Sequence, residues 1–299
     1  MQHLRHKEID KIKWNEAIRK SENGKITHFT WYLDEVCPNW EALVNDDYSL
    51  LFPIPTKKKF IFKYLIQPFL IQQLGLIFQH RAYNCNVTFD DCLDFITKRY
   101  SLFNFNVNMD ASYHGKIVTN LNNNLVLDLS ESYDHIYNRY STNLKRNLKK
   151  ALSHNLTVCQ VEHSDDIIFL FNEDKGKEVG WNKTKNRSLS KVLNVIEQNA
   201  EIINMHAYED EHLICGAIFV GYDGRWTFLF SGNTQRGKET NAMPVIIDSF
   251  IKEKCEESEY LDFEGSNNEG LFRFYSSFGA DNEKYTTIKS KMMNFLKHK

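Results

Sequence analysis

Two carboxylates stand close together in a late segment that reads Leu261-Asp262-Phe263-Glu264-Gly265-Ser266. If the segment is a strand, alternation places Asp262 and Glu264 on one face, and their repulsion favours a raised pKa on one of them. Such a group suits a general base, and Gly265 would let the chain turn closely past a ligand. The alternative is a solvent-facing sheet surface that ends in a polar turn. The hypothesis assigns the base to Glu264, or else to Asp262.

A tyrosine that suits proton donation follows within residues 270–280. Apolar side chains recur there at helical spacing, so the segment predicts a short helix whose stripe is mostly core. Tyr275 lies on this stripe, and its hydroxyl is a candidate proton donor to a leaving group. The alternative is a packed ring with a hydrogen-bonded tip. Arg273 points elsewhere and is a candidate binding residue.

A basic helix is predicted over residues 140–152, and together with Arg139 it forms a run without a carboxylate. Its apolar stripe comprises Leu144, Leu148, Ala151 and Leu152. Beside the stripe, cations recur at i, i+4 spacing, which indicates an anion site for the phosphates of a nucleotide, a carrier or RNA. The alternative is a solvated helix between domains. The candidate phosphate ligands are Arg139, Lys145, Arg146 and Lys149.

A polar loop over residues 231–239 leads into a predicted helix, whose free N–H groups suit phosphate. Lys238 and Arg236 add positive charge there. The backbone N–H groups near Ser231, Gly232 and Asn233 are candidates to hold an oxyanion. As a loop pattern alone, this signal is weak.

The sequence lacks several short motifs that are typical of particular catalytic mechanisms. It contains no G-x-S-x-G, no G-x-x-x-x-G-K-[ST], no H-E-x-x-H and no G-x-G-x-x-G. The six cysteines form no C-x-x-C pair, so reduced, inert thiols are expected and no metal site is predicted. Transfer by direct attack, which needs no nucleophilic side chain, agrees with this pattern.

Composition indicates a globular protein rather than a polycation or a disordered chain. The chain has 299 residues, 42% of them hydrophobic, and a net charge of -2, and this length suggests two domains. Any affinity for nucleic acid must therefore come from a local patch. The first residues lack a signal peptide's apolar region, and the most apolar window, residues 60–78, is too polar to span a bilayer and is predicted to be buried core. We expect a soluble, cytoplasmic protein without a membrane span.

The elements that would position these residues are clearest in the second half of the chain. Helices are predicted over residues 164–179 and 189–199, and then a three-stranded meander over residues 202–208, 213–222 and 226–231. A helix from about residue 243, a strand at 260–264, a helix at 269–278 and a strand at 283–288 follow.

A fainter version of the same order occupies the first half, which favours an internal duplication. Helices are predicted at residues 7–20 and 31–36, a hairpin over 42–52, a helix carrying Phe89, Cys92, Leu93 and Ile96, and strands at 102–107 and 125–129. The predicted division is 1–137 for a first unit, 138–155 for the basic linking helix, and 156–299 for a second unit with the active site. The first unit lacks a counterpart of Asp262 to Tyr275, and is therefore predicted to be degenerate.

This order of elements resembles the GNAT acyltransferase fold, and two such units joined by a basic stretch resemble the Fem-type peptidoglycan aminoacyltransferases and their uncharacterised bacterial relatives. Three segments beyond the basic helix are similar to those relatives: Trp31-Tyr32-Leu33-Asp34, Gln67-Pro68-Phe69 with Gln72-Gln73-Leu74-Gly75, and Asp262–Ser266 with Arg273–Ala280. The resemblance implies an α+β fold of two tandem GNAT-like units, each a mixed, mostly antiparallel sheet flanked by helices. It also implies acyl transfer to an amine.

The sequence departs from the GNAT pattern between the fourth strand and the next helix. Acyl-CoA enzymes usually carry [QR]-x-x-G-x-[GA] there, whereas this chain has Lys238 or Glu239 in place of the first glycine. Fem-type proteins also depart there, since their donor is an aminoacyl-tRNA. The long helical hairpin that often accompanies tRNA binding finds no room between Asn155 and Ala200, however. The resemblance therefore leaves acyl-CoA, an acyl carrier and aminoacyl-tRNA open as co-substrates.

The predicted reaction is N-acyl transfer onto an amine, with a carboxylate base and Tyr275 protonating the leaving group. No tightly bound cofactor is expected. The implied acceptor is an amine on a small molecule or a cell-wall precursor, tRNA is a candidate partner, and DNA is not expected. A degenerate, non-catalytic ligand-binding protein is the alternative.

Overall fold

The structure, a computed structural model, describes residues 1–79, 88–109, 117–176 and 178–292. The chain divides into two compact units, the first comprising Met1–Asn123 with Lys284–Lys299 and the second Asn124–Glu283. This division differs from the predicted one at 137/138 and 155/156. The end of the last strand returns to the first unit, where residues 286–289 pair with residues 104–107. The basic helix is part of the second unit instead of a separate linker.

The described residues of the first unit form short strands and three α-helices. Its strands are β1 Gln2–Leu4, β2 Glu41–Val44, β3 Leu50–Ile54, β4 Thr56–Lys59, β5 Phe62–Ile66, β6 Ile77–Phe78 and β7 Phe103–Val107. Its helices are α1 Lys11–Arg19, α2 Thr30–Val36 and α3 Phe89–Arg99. Strands β1, β2, β3 and β6 form one sheet in that order, whereas β4, β5 and β7 are neighbours in another.

Helix α3 shows how local sequence fixes an element of this unit. The Thr88 hydroxyl accepts from the Asp91 N–H, while an Asp91 carboxylate oxygen accepts from the Thr88 N–H at 2.7 Å, which completes a capping box. The predicted apolar stripe of the helix is buried against the sheet. Its members are Phe89, Cys92, Leu93 and Ile96.

The prediction that residues 60–78 form buried core is wrong at its first three positions. Phe60, Ile61 and Phe62 are 84%, 83% and 68% exposed, whereas Leu65 and Leu74 further along are buried. The reason is topological, since β4 and β5 pair as a hairpin and these three residues form its tip. The hydropathy of a window depends only on its amino-acid composition, so it does not reveal a turn within the window.

The second unit begins within a long strand, β8 Ile117–Asp128, whose last residues belong to it. Its further strands are β9 Leu156–Val161, β10 Glu201–Glu209, β11 His212–Tyr222, β12 Arg225–Asn233 and β13 Tyr260–Asp262, and β14 Asp281–Ser290 closes the chain's described strands. Its helices are α4 Tyr133–Arg139, α5 Thr142–Ala151, α6 Asp165–Phe171, α7 Lys183–Asn199, α8 Gln235–Glu239, α9 Ala242–Lys254 and α10 Glu269–Ser276. The four strands β10 to β13 follow the predicted order, whereas β9 was not predicted.

The sheet of this unit runs β8-β13-β12-β11-β10-β9, with one parallel pair, β12 with β13. Its main core lies where α9 packs on alternate residues of the strands. Ile246, Ile247, Phe250 and Ile251 of α9 are fully buried, and the Phe250 ring stacks on Phe219 with centroids 3.8 Å apart. The predicted amphipathic stripe therefore docks this helix against the meander. None of the described helices has the length and apolar composition needed to cross a lipid bilayer.

Helix α5 is the predicted basic helix, and it docks by part of its predicted stripe. The Ser141 hydroxyl caps it by accepting from the Leu144 N–H at 3.2 Å. Leu144 and Ala151 are buried, but Leu152 lies past the last helical residue and is exposed.

Candidate functional site

The candidate site lies in the second unit, where two parallel strands separate. β12 and β13 pair from Arg225 opposite Tyr260 to Thr227 opposite Asp262. Beyond that point β12 runs on to Asn233 beside β11, and no further pairing with β13 is found in the described chain. An antiparallel neighbour takes the backbone groups of every second residue, so the alternate N–H and C=O groups of β12 face the opened side.

A β-bulge lies in this separated stretch of β12. Ile218 of β11 is opposite Phe230 and Phe219 is opposite Phe228, so Leu229 is the additional residue. Bulges redirect neighbouring backbone groups and are frequent beside active sites. The bulge therefore adds to the unpaired backbone groups at the opening.

A cleft of about 780 Å³ lies beside the separated stretch of β12, which is the strand of the pair that lines it, and is completed by the surrounding helices. A volume of this size suits a small ligand or the reacting end of a larger one. Its lining comes from α5, the segment after α6, β12, α8, the start of α9, and α10. The polar residues of the lining are Asn147, Asp174, Lys175, Glu178, Ser231, Asn233, Lys238, Asn241, Asn268 and Tyr275.

Tyr275 contributes a phenolic hydroxyl group to the lining of the cleft. Its ring stacks on Phe263, with centroids 4.7 Å apart and planes 11° from parallel, so the side chain is held rigidly. Burial raises the pKa of Tyr275, which keeps the hydroxyl protonated. Among the described residues, no hydrogen-bond partner of this hydroxyl is found. Within the described chain, the O–H group of Tyr275 therefore has no hydrogen bond that would give it a structural task.

Two ion pairs lie at the charged side of the cleft. The Lys238 ammonium contacts the Asp174 carboxylate at 2.7 Å, and the Lys175 ammonium contacts Glu178 at 2.6 Å. Asp174 and Lys175 belong to a π-helical turn, Asn172–Gly176, that follows α6. Such turns are rare and frequently mark functional sites. The pairing keeps the charges balanced when no ligand competes for them.

The start of α9 contributes backbone donors to the cleft. Asn241 precedes the helix in the left-handed conformation, with φ of 60°, and its side chain does not cap the helix. Met243 and Pro244 of the first turn line the cleft. Pro244 has no N–H group, so the backbone donors of this first turn are those of Ala242 and Met243. The positive end of a 13-residue helix favours an anion, such as a phosphate.

Asn233 carries an unsatisfied acceptor at the end of β12. Its Oδ1 atom is buried and has no hydrogen-bond partner in the described chain. A Cβ on the neighbouring Gly237 would come within 2.1 Å of this atom, so glycine is what allows α8 to approach β12 here. A buried acceptor without a partner at a cleft is a site where a ligand donor can bind.

The predicted base residues lie elsewhere. Asp262 is 1% exposed, and its Oδ1 accepts from the Glu264 N–H at 3.0 Å. Glu264 has left-handed backbone geometry, with φ of 45°, which ends the strand and breaks the predicted alternation. Neither carboxylate belongs to the described lining of the cleft.

The predicted phosphate ligands do not belong to the described lining either. The Arg139 guanidinium contacts Glu131 at 3.2 Å, Lys145 donates to the Asn138 carbonyl at 3.0 Å, and Arg146 donates to the Asn143 side chain at 2.5 Å. Lys149 is exposed. The lining residue that the basic helix supplies is Asn147.

Two further predicted binding residues have other neighbours. A Cβ on Gly232 would lie 2.4 Å from the Ile167 carbonyl oxygen, so this glycine lets α6 pack closely on β12. Arg273 is exposed, and its Nε donates to the Glu269 carbonyl at 3.4 Å.

The structure thus brings four of the predicted residues into one cleft. They are Ser231, Asn233, Lys238 and Tyr275. Sequence reasoning missed Asn147, Asp174, Lys175, Glu178, Asn241 and Asn268, which line the same cleft. The dense charges of residues 172–178 were a signal, but helical periodicity alone did not show which side faces a ligand.

Comparison with known proteins bears on the fold. No protein-family model matches the chain, and no curated protein matches it. Among solved structures, the crystal structure of FemX is similar at 10% identity, covering 96% of this chain and 97% of that chain with a TM-score of 0.67. A conserved protein of unknown function from Bacteroides thetaiotaomicron is similar at 11% identity, with 94% and 98% covered and a TM-score of 0.58. L-PGS from Bacillus licheniformis is similar at 11% identity, with 94% and 92% covered and a TM-score of 0.53.

At identities this low, the similarity establishes the fold. The predicted α+β architecture of the Fem type, with tandem GNAT-like units, is confirmed.

Proposed function

We propose that the second unit is an N-acyltransferase that moves an activated acyl or aminoacyl group directly onto an amine. The observation that carries this proposal is the position of Tyr275, a buried, protonated hydroxyl lining a cleft at the separation of β12 and β13. The cleft offers backbone donors and a proton donor, and these are what direct transfer requires. The likeness of the fold to FemX supports the same reaction class.

In the proposed reaction, the amine nitrogen attacks the carbonyl carbon of an ester or thioester. The new C–N bond forms, and the negative charge on oxygen is held by backbone N–H groups on the open side of β12, near Ser231 and Asn233. The C–O or C–S bond then breaks, and Tyr275 gives its proton to the leaving oxygen or sulfur. The proton that the amine loses passes to a carboxylate.

We assign that carboxylate to Asp174, because it lines the cleft and Glu264 does not belong to the described lining. Asp174 already contacts an ammonium group, that of Lys238, at 2.7 Å, so it sits where an acceptor ammonium can be bound and deprotonated. The assignment is tested by comparing Asp174→Asn with Glu264→Gln, the base predicted from sequence. We expect Asp174→Asn to lower kcat on the order of 100-fold and Glu264→Gln to leave it within a few-fold. The reverse ranking would return the base to Glu264.

The donor is proposed to bind with its phosphates near the first turn of α9 and Lys238. Acyl-CoA, an acyl carrier and aminoacyl-tRNA all meet this description, and the acceptor is an amine of a small molecule or a cell-wall precursor. Salt dependence separates the donors, because RNA binding weakens steeply with salt while CoA alone should bind without RNA.

One observation favours a second candidate, a ligand-binding protein without catalysis. Both carboxylates of the described lining, Asp174 and Glu178, are held in ion pairs. A cleft whose carboxylates are paired is suited to holding a polar ligand without proton transfer.

Mass spectrometry separates the two candidates. The chain is incubated with acyl-CoA or aminoacyl-tRNA and a set of amines that includes amino sugars and lysine-containing peptides, and acylated products are sought. Ligands that co-purify with the native protein are identified in parallel. An acylated amine that disappears in Tyr275→Phe supports transfer. A retained ligand without product from any donor supports the binding protein.

A further inference from the structure

The tip of the β4–β5 hairpin in the first unit exposes three large apolar side chains in a row. The strands pair from Thr56 opposite Leu65 to Lys59 opposite Phe62, so Phe60 and Ile61 form a two-residue turn. Phe60, Ile61 and Phe62 are 84%, 83% and 68% exposed. Single apolar residues are common on protein surfaces, but a contiguous group at a projecting tip marks an interaction site.

The turn itself is not built for hairpin stability. Two-residue hairpin turns require a positive φ, and Asn, Asp or Gly usually supply it. Here Phe60 adopts φ of 55°, a conformation that is an outlier for a bulky residue. The sequence accepts local strain and exposes apolar surface at the same residue. Conflicts of this kind between local preference and sequence are expected at functional positions.

Positive charge surrounds the apolar tip. Residues 56–66 contain Lys57, Lys58, Lys59 and Lys63 and no carboxylate. Lys57, Lys58 and Lys59 are exposed, and no ion pair of theirs is found in the part of the chain that the structure describes. The lysine stems are long enough to reach a surface that the tip enters.

A pocket at the base of the hairpin extends the positive surface. It has a volume of about 390 Å³, and Lys57, Lys58 and Lys63 line it together with Arg5 and Lys7. Two carboxylates share this lining with the five cations: Glu41 bonds Lys63 and Tyr100, and Glu8 accepts from the Arg5 N–H at 2.7 Å, so that the cations are in excess. The pocket therefore offers cations to an anionic group near the tip.

We propose that this hairpin docks the protein on the surface of an anionic lipid bilayer. The apolar tip enters the boundary between head groups and acyl chains, and the lysines contact lipid phosphates. Three side chains at a narrow tip are far smaller than the surface that a stable protein partner buries. A bilayer needs no matching shape, and its negative head groups complement the lysines beside the tip. This interaction is independent of the transfer reaction and places the protein at a membrane surface without a membrane span.

Vesicle co-sedimentation of the full chain tests the proposal. Vesicles of phosphatidylcholine alone are compared with vesicles containing one-third phosphatidylglycerol, at low and high salt. We expect binding to the anionic vesicles, weakened by salt, and at least tenfold weaker binding to the neutral ones. Equal binding to both kinds, or binding to neither, would overturn the proposal.

Variants then assign the binding to the hairpin. We expect the triple change Phe60→Ser, Ile61→Ser and Phe62→Ser to weaken binding at least tenfold. The matched control changes two exposed apolar residues of the second unit, Leu152→Ser and Phe169→Ser, and should leave binding unchanged. All five positions are exposed, so circular dichroism should show intact folding. An unchanged affinity of the triple variant would contradict the proposal.

The lysines are tested in the same way. Replacing Lys57, Lys58 and Lys59 by Gln should weaken binding at least tenfold and reduce its salt dependence, whereas Lys183→Gln with Lys191→Gln should not. A Phe60→Trp variant should show a blue-shifted emission and quenching by brominated lipids on anionic vesicles. Light scattering without lipid tests whether the hairpin instead binds a second copy of the chain. A dimer that the triple serine change dissolves would identify a second copy of the chain and refute the membrane assignment.

Discussion

Each unit contains a pair of parallel strands connected through a helix, and the two pairs end differently. In the first unit β5 and β7 pair at Leu65 opposite Phe103 and Ile66 opposite Asn104, with α3 between them in the chain. In the second unit β12 and β13 pair over three positions, with α9 between them. In the second unit, β12 lines the cleft beyond its last residue paired with β13. In the first unit, another segment of the chain forms hydrogen bonds with β7 beyond its last residue paired with β5.

The occupant is the segment between β5 and β6, residues 67–76. The Gln67 N–H donates to the Asn104 carbonyl at 2.9 Å, and the Gln67 side chain accepts from the Asn106 N–H at 2.7 Å. Leu74 continues the pairing, donating to the Asn106 carbonyl at 2.9 Å and accepting from Asn108 at 2.8 Å. The backbone of β7 is thus satisfied by its own unit. In the second unit β12 is followed directly by α8, and its open side stays available to a ligand.

The carboxylates of the two units differ in the same way. Glu41 of the first unit is buried and accepts from three groups, the His3 ring at 2.9 Å, the Tyr100 hydroxyl at 2.7 Å and the Lys63 ammonium. Asp174 at the cleft contacts one cation of the described residues, Lys238. A carboxylate whose hydrogen bonds are all made to buried groups of the protein stabilises the fold. A carboxylate with one ammonium partner at a cleft can exchange that partner for a ligand. The comparison favours assigning the chemistry to the second unit.

The strongest test of the open cleft is Tyr275→Phe. The change keeps the ring that stacks on Phe263 and removes only the proton donor, so we expect kcat to fall on the order of 100-fold with little change in stability. Turnover of an identified donor and amine measures it. The control is Tyr222→Phe, a buried tyrosine outside the described lining, which should keep its activity. Full activity of Tyr275→Phe would remove the tyrosine from the mechanism.

The closed edge of the first unit is tested by Gly75→Ala. Gly75 has φ of 119°, and a Cβ there would lie 2.2 Å from Asn108 Oδ1 and 2.7 Å from the Asn108 nitrogen. Both the backbone conformation and the close approach to β7 require glycine, so we expect the free energy of unfolding to fall by about 2 kcal/mol. Denaturant titration measures it.

Gly180→Ala is the matched control for this change. Gly180 also has a positive φ, 61°, but a Cβ there would meet no atom within 4 Å. We expect it to cost about 1 kcal/mol, from conformation alone. If both variants lose the same free energy, the close packing of residues 67–76 against β7 does not stabilise the first unit.

The order of helices and strands could be predicted from local sequence patterns, whereas the position of the cleft could not. Periodicity located the helix with Ile246 and Phe250 and the meander before it, because burial of one face dictates the spacing of apolar residues. The separation of β12 from β13 depends on where pairing stops. The sequence pattern of the predicted strand at residues 260–264 did not indicate that Glu264 adopts a left-handed backbone conformation, which ends the strand.

The candidate site was partly predictable for the same reason. Tyr275 and Lys238 stood out by residue type next to helix boundaries. The basic helix was conspicuous by its charge, yet Asn147 is the member that reaches the cleft, because Leu144 and Ala151 fix which side docks. In the first unit, apolar composition predicted burial for Phe60, which a two-residue turn exposes instead.

The buried charge cluster around Glu41 in the first unit is tested by Glu41→Gln, whose expected effect is smaller than that of Gly75→Ala. Burial by itself raises the pKa of Glu41, but hydrogen bonds from Lys63, Tyr100 and His3 outweigh it and hold the pKa below its ordinary value of 4.5. The ionised carboxylate therefore stabilises the fold above that value, and this contribution is lost as the pH falls through the lowered pKa. We expect the variant to be about 1.5 kcal/mol less stable at neutral pH, from hydrogen bonds to a charged group.

The pH dependence distinguishes this cluster from an ordinary surface carboxylate. The difference between the wild type and Glu41→Gln should shrink as the pH falls below 4.5, because the protonated wild type also loses its charged acceptor. Glu16→Gln, an exposed position of α1, should change stability little at any pH. Unfolding free energies measured across this range decide the matter. A gap that persists undiminished into acid would mean that Glu41 stabilises the first unit by its shape alone, and the contrast with the exchangeable Asp174 would not be electrostatic.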